Sequence, residues 1–424
     1  MRVDVAIVGA GTSGAAAALA LARRGLRVAC LERRPLSQAG ARWVNGVPRW
    51  MFEAAGVDPP EGDELRGEGH AFHLVAGFDG ERIVIRDHET LDVDMRHLVS
   101  RLQRLAREAG AELVGDAHVQ GLSGRRLSTT RGEFEADVFV DAAGMAGPNL
   151  GGAPRIHKHD LCVAAQEVRA VTDRAMAEAW FRERGAEPGD TLCFTGVAGG
   201  YSIVNARLDH EGISLLTGSI PGLGYPSGRV LLERFVAEHS FVGKALFGGA
   251  RAIPLGRARP RLAMGRVALL GDSALQVFSA HGSGIGSGMV AARVLADRVA
   301  AGGSDLHAYS VAWHREHGGV LAAYDVFRRF SQTLSVSDIE RLMRAGLMDV
   351  SSALAALSQK MPAPPAVTRW PRLVTGLVKE RGLAARLLRV APRLGLALSL
   401  YARYPEREKD VQAWQRRVAR LLDV

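Results

Sequence analysis

The chain has 424 residues, 47% hydrophobic and 23% charged, an ordinary globular composition that allows two or three domains with a sizeable core and excludes a disordered or fibrous protein. It carries 54 Lys and Arg against 45 Asp and Glu, for a net charge of +9. The basic residues are mostly Arg, spread along the chain rather than bunched with aromatics, which argues against a nucleic-acid partner. Cys30, Cys162 and Cys193 form no C-x-x-C pair, which argues against a disulfide framework or a metal site and fits a reducing cytoplasm.

The first stretch, Arg2 to Arg34, reads as strand, glycine turn, helix, strand. Val3, Val5, Ile7 and Val8 make an apolar β-branched run that predicts a buried parallel strand. Gly9, Gly11 and Gly14 follow as G-x-G-x-x-G, with Thr12 and Ser13 inside the motif. Ala15 to Arg24 predict a helix ended by Gly25. In such a unit the first glycine permits the tight turn. The second lets a diphosphate approach the backbone, and the third lets the helix pack on the strand. The N–H groups and dipole of the helix start attract the diphosphate. Glu32, at the end of the second strand, falls near the spacing at which an acidic residue accepts from a ribose. It disfavours a 2′-phosphate, so the motif points to FAD or NAD rather than NADP. Arg33 and Arg42 are candidates for the cofactor phosphates.

Residues 35–70 read as irregular, with Gly40, Gly46, Pro48, Pro59 and Pro60 as breakers. Trp43 and Trp50 are candidate pocket walls, with core packing as the alternative for Trp50 and Phe52. Residues 70–90 alternate and turn at Asp79-Gly80, which predicts a hairpin in a second sheet. Asp94 to Ala109 predict an amphipathic helix with Leu98, Leu102 and Leu105 on one face. A strand at Glu112–Val114, a meander over 121–135 and a strand at Val138–Asp141 come next. Residues 154–255 read as β-rich with one helix near 172–184 and two strands over 199–220.

Arg266 to Leu270 predict the return to the first sheet, and Gly271 and Asp272 stand at its end. An Asp there can hydrogen-bond the ribityl chain of a flavin. Gly282, Ser283, Gly284 and Ile285 open a further helix, whose N–H groups would stabilise negative charge on a reduced flavin. From His307 the pattern is helical to the end, broken at Pro362–Pro365, Pro371, Pro392 and Pro405. No uninterrupted apolar stretch of the length needed to span a bilayer occurs, and the N-terminal run lacks a signal cleavage site.

The N-terminal glycine motif, the Asp141–Gly144 strand end and the G-D…G-x-G-I series at 271–285 together resemble the para-hydroxybenzoate hydroxylase-like FAD enzymes. The likeness is greatest to their geranylgeranyl reductase branch: GDSALQVFSAHGSGI runs in step with that branch's GDAAGQVNPLTGGGI, and GGYSIVN at 199–205 with its GGYxWxFP. The resemblance covers roughly residues 1–330 and implies FAD as cofactor. It implies an α/β fold: a Rossmann-like FAD-binding domain with an inserted antiparallel β-sheet substrate domain and a helical C-terminal region. The expected divisions are 1–70, 91–153 and 256–305 for the FAD domain, 71–90 and 154–255 for the substrate domain, and 306–424 for the helical region.

The implied activity is reduction of carbon–carbon double bonds in an isoprenoid or similar apolar molecule. His281 is the candidate proton donor or orienter, and Tyr201, Phe278 and Trp43 are candidate pocket residues. The alternatives are a monooxygenase, a halogenase and a flavin-binding protein without turnover. The hydroxylase A-D-G stretch reads Ala142-Ala143-Gly144, and its flavin-facing proline is Ser279. A halogenase would need an early lysine, and none precedes Lys158. No second nucleotide motif occurs, so the expected electron donor is transiently bound NAD(P)H, a ferredoxin or a separate flavin reductase. Residues 372–403 are apolar and Arg-studded at helical spacing. They suit either a cytoplasmic helical cap or peripheral contact with the inner face of an anionic membrane.

Overall fold

The computed structural model describes residues 1–302 and 305–423. Residues 303–304 and 424, which fall in two of the expected divisions, lie outside the described residues.

A six-stranded sheet forms around the N-terminus. Its order is Ala263–Met264, Val267–Leu269, Val138–Asp141, Val5–Val8, Val28–Leu31, Glu112–Val114. All pairings are parallel except the Ala263–Met264 edge. Each residue of Val5–Val8, Val28–Leu31 and Val138–Asp141 is buried, as expected for parallel strands covered on both faces. The glycine-motif helix, Thr12–Ala22, packs between helices Met95–Glu108 and Ile285–Ala300. A small meander follows, Val119–Ser123, Arg126–Thr129 and Gly132–Glu135.

The second large sheet has seven strands. It runs Val242–Pro254, Leu161–Val171, Ile213–Ser219, Ser202–Leu208, Thr191–Thr195, Phe72–Ala76, Arg82–Ile85. The Phe72–Ile85 hairpin joins its far edge, through a parallel pairing of Phe72–Ala76 with Thr191–Thr195. Helices Arg174–Glu183 and Gly228–Glu238 accompany this sheet. The second of these corrects the sequence expectation of a single helix in 154–255. Ser227 caps it, and its apolar positions Leu231, Leu232 and Phe235 are buried, a helical spacing that the surrounding strands mask.

Residues 35–70 are also more regular than expected. Val44–Pro48 and Leu65–Gly67 flank Thr90–Asp94 in a three-stranded sheet. Arg49–Ala55 is a short helix ended by Gly56. Pro48 precedes this helix, so the breaker starts an element instead of interrupting one. In the C-terminal region the helices are His307–Trp313, Gly319–Ser331, Val336–Arg344, Val350–Leu357, Trp370–Lys379, Arg381–Ala402 and Val411–Leu422. Two proline expectations fail here. Pro371 lies at the start of its helix, where a missing N–H costs nothing, and Arg381–Ala402 continues through Pro392.

A buried ion network ties the helical region to the second sheet. Arg328, fully buried, donates to Asp325 at 2.6 Å and to Asp160 at 2.8 Å. Arg257 and Arg329 also face Asp325. Burial alone would raise the Asp325 carboxyl, but Arg328, Arg329 and Arg257 outweigh it and hold it below the usual range.

Candidate active site

Two glycines set the geometry of the first turn. Gly9 has φ +102°, and a Cβ there would lie 2.5 Å from the Ala142 carbonyl oxygen. A Cβ on Gly14 would lie 1.8 Å from the Gly9 carbonyl oxygen. Strand, turn and helix therefore touch through bare backbone. The helix begins at Gly11 with no side-chain cap, which leaves its first N–H groups available. Glu32 is buried and accepts from the backbone N–H of Ala10 at 3.1 Å and of Arg34 at 3.2 Å. Two donors do not saturate a carboxylate.

The 271–285 segment lies directly against this turn. The Ser13 hydroxyl occupies the space a side chain on Gly271 or Gly288 would need. The helix Ile285–Ala300 starts at Gly284, again with no side-chain cap, and Asp272 Oδ1 lies beside that start. Gly282 N–H bonds the Phe278 carbonyl, and Phe278 N–H bonds the Ser283 carbonyl, both at 2.9 Å. These bonds fold residues 278–284 into a tight loop. Burial pushes the Asp272 carboxyl up, opposed by Arg251.

Arg251 is a residue the sequence reading missed. It comes from the edge strand Val242–Pro254 of the other sheet and donates to the Gly40 carbonyl. Burial, Arg34 and Arg33 lower its pKa, against Asp272 and Glu32. Five charged groups thus surround one place: Glu32, Arg33, Arg34, Arg251 and Asp272. Arg33 donates to the Ala146 carbonyl at 3.1 Å. Arg42 is exposed and donates to Ser37. Two uncapped helix starts, an unsaturated buried acid and the arginines between them fit FAD laid from the Gly11 turn to the Gly284 turn.

Beyond the 281–285 turn opens a cavity of about 490 Å³. The seven-stranded sheet forms its floor, and Phe327, Leu342, Leu387 and Val390 of the C-terminal helices, with Leu347 of a connecting loop, form much of its apolar wall. His281, Ser283 and Tyr201 line it. Burial pushes His281 down to about 4, with hydrogen bonding to the Ala356 backbone opposing. It is therefore a neutral imidazole near pH 7, which still carries one N–H to donate. Its Nε2 and the Ser283 Oγ are buried without partners. Burial holds the Tyr201 phenol well above its ordinary value. It likewise pushes the Cys193 thiol in the cavity floor up to about 12.

Two predicted pocket residues lie elsewhere. Phe278 is fully buried in the core of the first sheet, its ring 4.3 Å from that of Tyr324. Trp43 stands against Gly249, with Arg251 above its ring, while its neighbours Val44 and Asn45 reach the cavity. Trp50 packs beside the core and donates to the Ser358 carbonyl at 2.9 Å.

Residues 4–50 match the FAD dependent oxidoreductase family. The chain is 24% identical to the digeranylgeranylglycerophospholipid reductase of Sulfolobus acidocaldarius, with 100% of this chain and 98% of the relative covered. The reductase of the same description from Methanothrix thermoacetophila is 27% identical over 81% of this chain and 91% of its own. Among solved structures, a geranylgeranyl bacteriochlorophyll reductase-like protein from Thermoplasma acidophilum superposes with a TM-score of 0.72. It is 15% identical and covers 91% of this chain and 98% of its own. A probable FAD-dependent monooxygenase from Pseudomonas aeruginosa gives a TM-score of 0.57 at 18% identity, covering 82% of this chain and 99% of its own. The structural likenesses establish the flavoprotein fold, and the two sequence relatives bear out the resemblance carried by the three motifs.

Proposed function

We propose that this chain, an FAD-dependent oxidoreductase, reduces carbon–carbon double bonds of an isoprenoid or similarly apolar molecule in preference to oxygenating it. One observation carries the reading: the large apolar cavity is lined at one end by His281 and Ser283, the residues that lead into the helix start at Gly284. FAD, when bound, supplies a hydride from its N5 position.

The chain's own residues would do the rest. Gly11, Thr12, Ser13 and Gly14 would offer backbone N–H groups to the diphosphate, with Glu32 at a ribose. Arg33, Arg251 and Arg42 would balance the phosphate charge, and Asp272 beside Gly271 would take the ribityl hydroxyls. The N–H groups of Ser283, Gly284 and Ile285 would meet the electron-rich edge of the ring, while that of Gly282 is spent on the Phe278 carbonyl. The apolar wall would exclude bulk water, and the N–H of neutral His281 or the Tyr201 hydroxyl would give the second carbon of the double bond the proton that completes its reduction.

Among the described residues no helix is long and apolar enough to cross a membrane. Trp370, Val374, Val378 and Leu388 are nonetheless more than half exposed. They sit on the two helices that contain Lys379, Arg381, Arg389 and Arg393, and Leu387 and Val390 of the second helix line the cavity. This supports delivery of a lipid-soluble substrate from an anionic membrane face.

The test is anaerobic. Flavin reduced with dithionite is mixed with polyprenyl compounds and its reoxidation followed by absorbance. Reoxidation without oxygen, with a saturated product by mass spectrometry, is expected. Product that forms only with oxygen would replace this reading with oxygenation.

A further inference from the structure

The cavity floor is polarised along one strand. Ile203, Asn205 and Arg207 alternate on Ser202–Leu208 and all line the cavity, so each step is roughly 7 Å further from the Ile203 end. Gln166 and Asn205 both pair with Leu216 from opposite sides, so the two amides share one row and one face of the sheet. In that row Gln166 Oε1 and Asn205 Oδ1 are buried without partners, and Thr90 Oγ1, which also lines the cavity, is in the same condition. Gln166 and Thr90 are more than nine-tenths buried. Gln166 spends its Nε2 on the Val44 carbonyl, which fixes the amide with its oxygen left over.

The next row outward is charged, and its two guanidiniums face three carboxylates, although Arg66 Nε and Nη2 make no hydrogen bond. Arg207 binds Asp92 at 2.9 Å and Asp209 at 3.2 Å. Arg66 is held by Asp209 and Glu211. Three carboxylates thus answer two guanidiniums. Burial also lowers the pKa of His88 in the same wall, against Asp92.

Two of these unpaired atoms accept only, and the third, a hydroxyl, can do either. Left unmet, each carries the full penalty of its lost hydration. Together with the excess of acid, they call for a ligand group that donates hydrogen bonds and bears no negative charge. We infer that the substrate carries a neutral donor, a hydroxyl or N–H, at the head of its apolar chain, read by Gln166, Asn205 and Thr90, and that a phosphorylated head is rejected. This rests on the isoprenoid-reductase reading and narrows its substrate to the free alcohol or amine class.

Calorimetric titration of the FAD-loaded protein with geranylgeraniol, geranylgeranyl diphosphate and a hydrocarbon of equal length tests it. The alcohol should bind at least tenfold more tightly than either. Asn205→Leu should bring the alcohol close to the hydrocarbon while leaving the hydrocarbon's own affinity unchanged, and Thr90→Val should do the same to a smaller degree. Equal or tighter binding of the diphosphate to the unmodified protein overturns the inference, with no variant needed. So does an Asn205→Leu protein that weakens alcohol and hydrocarbon alike. Flavin reoxidation is read separately: tight binding of the alcohol with no anaerobic reoxidation would remove the reductase reading and leave the head-group preference standing.

Discussion

The nucleotide turn and the substrate cavity are built on opposite plans. Around Gly9, Gly14, Gly271 and Gly288 the backbones and the Ser13 hydroxyl touch with no room for a side chain. In the cavity, side chains from both large elements stand apart around about 490 Å³, several with unpaired polar atoms. A site for an invariant ligand can be fixed by backbone, and a change there fails outright. A site for a variable ligand is written in side chains, and changes there alter preference before they alter stability.

The largest break in that contrast comes from Gly14→Val. Its side chain has nowhere to go beside the Gly9 carbonyl, so protein purified from it should lack the flavin absorbance. It should also lose ~3 kcal/mol or more in urea unfolding. Next is Arg328→Met, which leaves Asp325 buried with its closest counter-charge gone. A loss of about 3–5 kcal/mol is expected. In the unmodified protein the contribution of Asp325 should be lost as pH falls through its depressed folded pKa, because the unfolded chain takes up the proton first. A cavity variant of comparable volume change, Leu387→Ala, should cost less if this wall is looser than the core, and equal losses would erase the distinction.

A smaller effect is expected at His281, which burial pushes down to about 4 from 6.5 for the free side chain. The unfolded chain therefore binds more protons between these values, so stability falls as pH drops from about 6.5 toward 4. His281→Gln should flatten that slope in thermal unfolding. An inflection near pH 6.5 in turnover that disappears in the same variant would instead mean an exposed imidazolium. The smallest effect on stability belongs to the outer face. Trp370→Ser with Val378→Ser should change unfolding by no more than about 0.5 kcal/mol while reducing co-sedimentation with anionic vesicles. Unchanged sedimentation would leave those helices as a cap only.

The same contrast decides what was legible in the sequence. The Val5–Ala22 unit is readable because its turn, spacing and helix are local and each constraint is met by one residue type. The hairpin at Phe72–Ile85 and the strand ending at Leu269 are readable for the same reason, since period and turn chemistry sit within a dozen residues. Arg251 is not, because nothing local distinguishes an arginine on an edge strand that reaches the Gly40 carbonyl of another sheet. Nor are Gln166 and Asn205, whose shared row exists only after Leu216 pairs with both. Phe278 misled because it neighbours the flavin turn in sequence while its ring points into the core beside Tyr324. Pro392 misled because a strong packing face carries its helix past it.

The interleaved path of the chain has a practical corollary. Val5–Val8, Val138–Asp141 and Val267–Leu269 are neighbours in one layer, yet the stretches between them contribute to the other. No contiguous gene fragment therefore encodes a complete cofactor module. Grafting a new substrate specificity means exchanging two cassettes, near 71–90 and 154–255, together, and re-matching both to the helices that close over them.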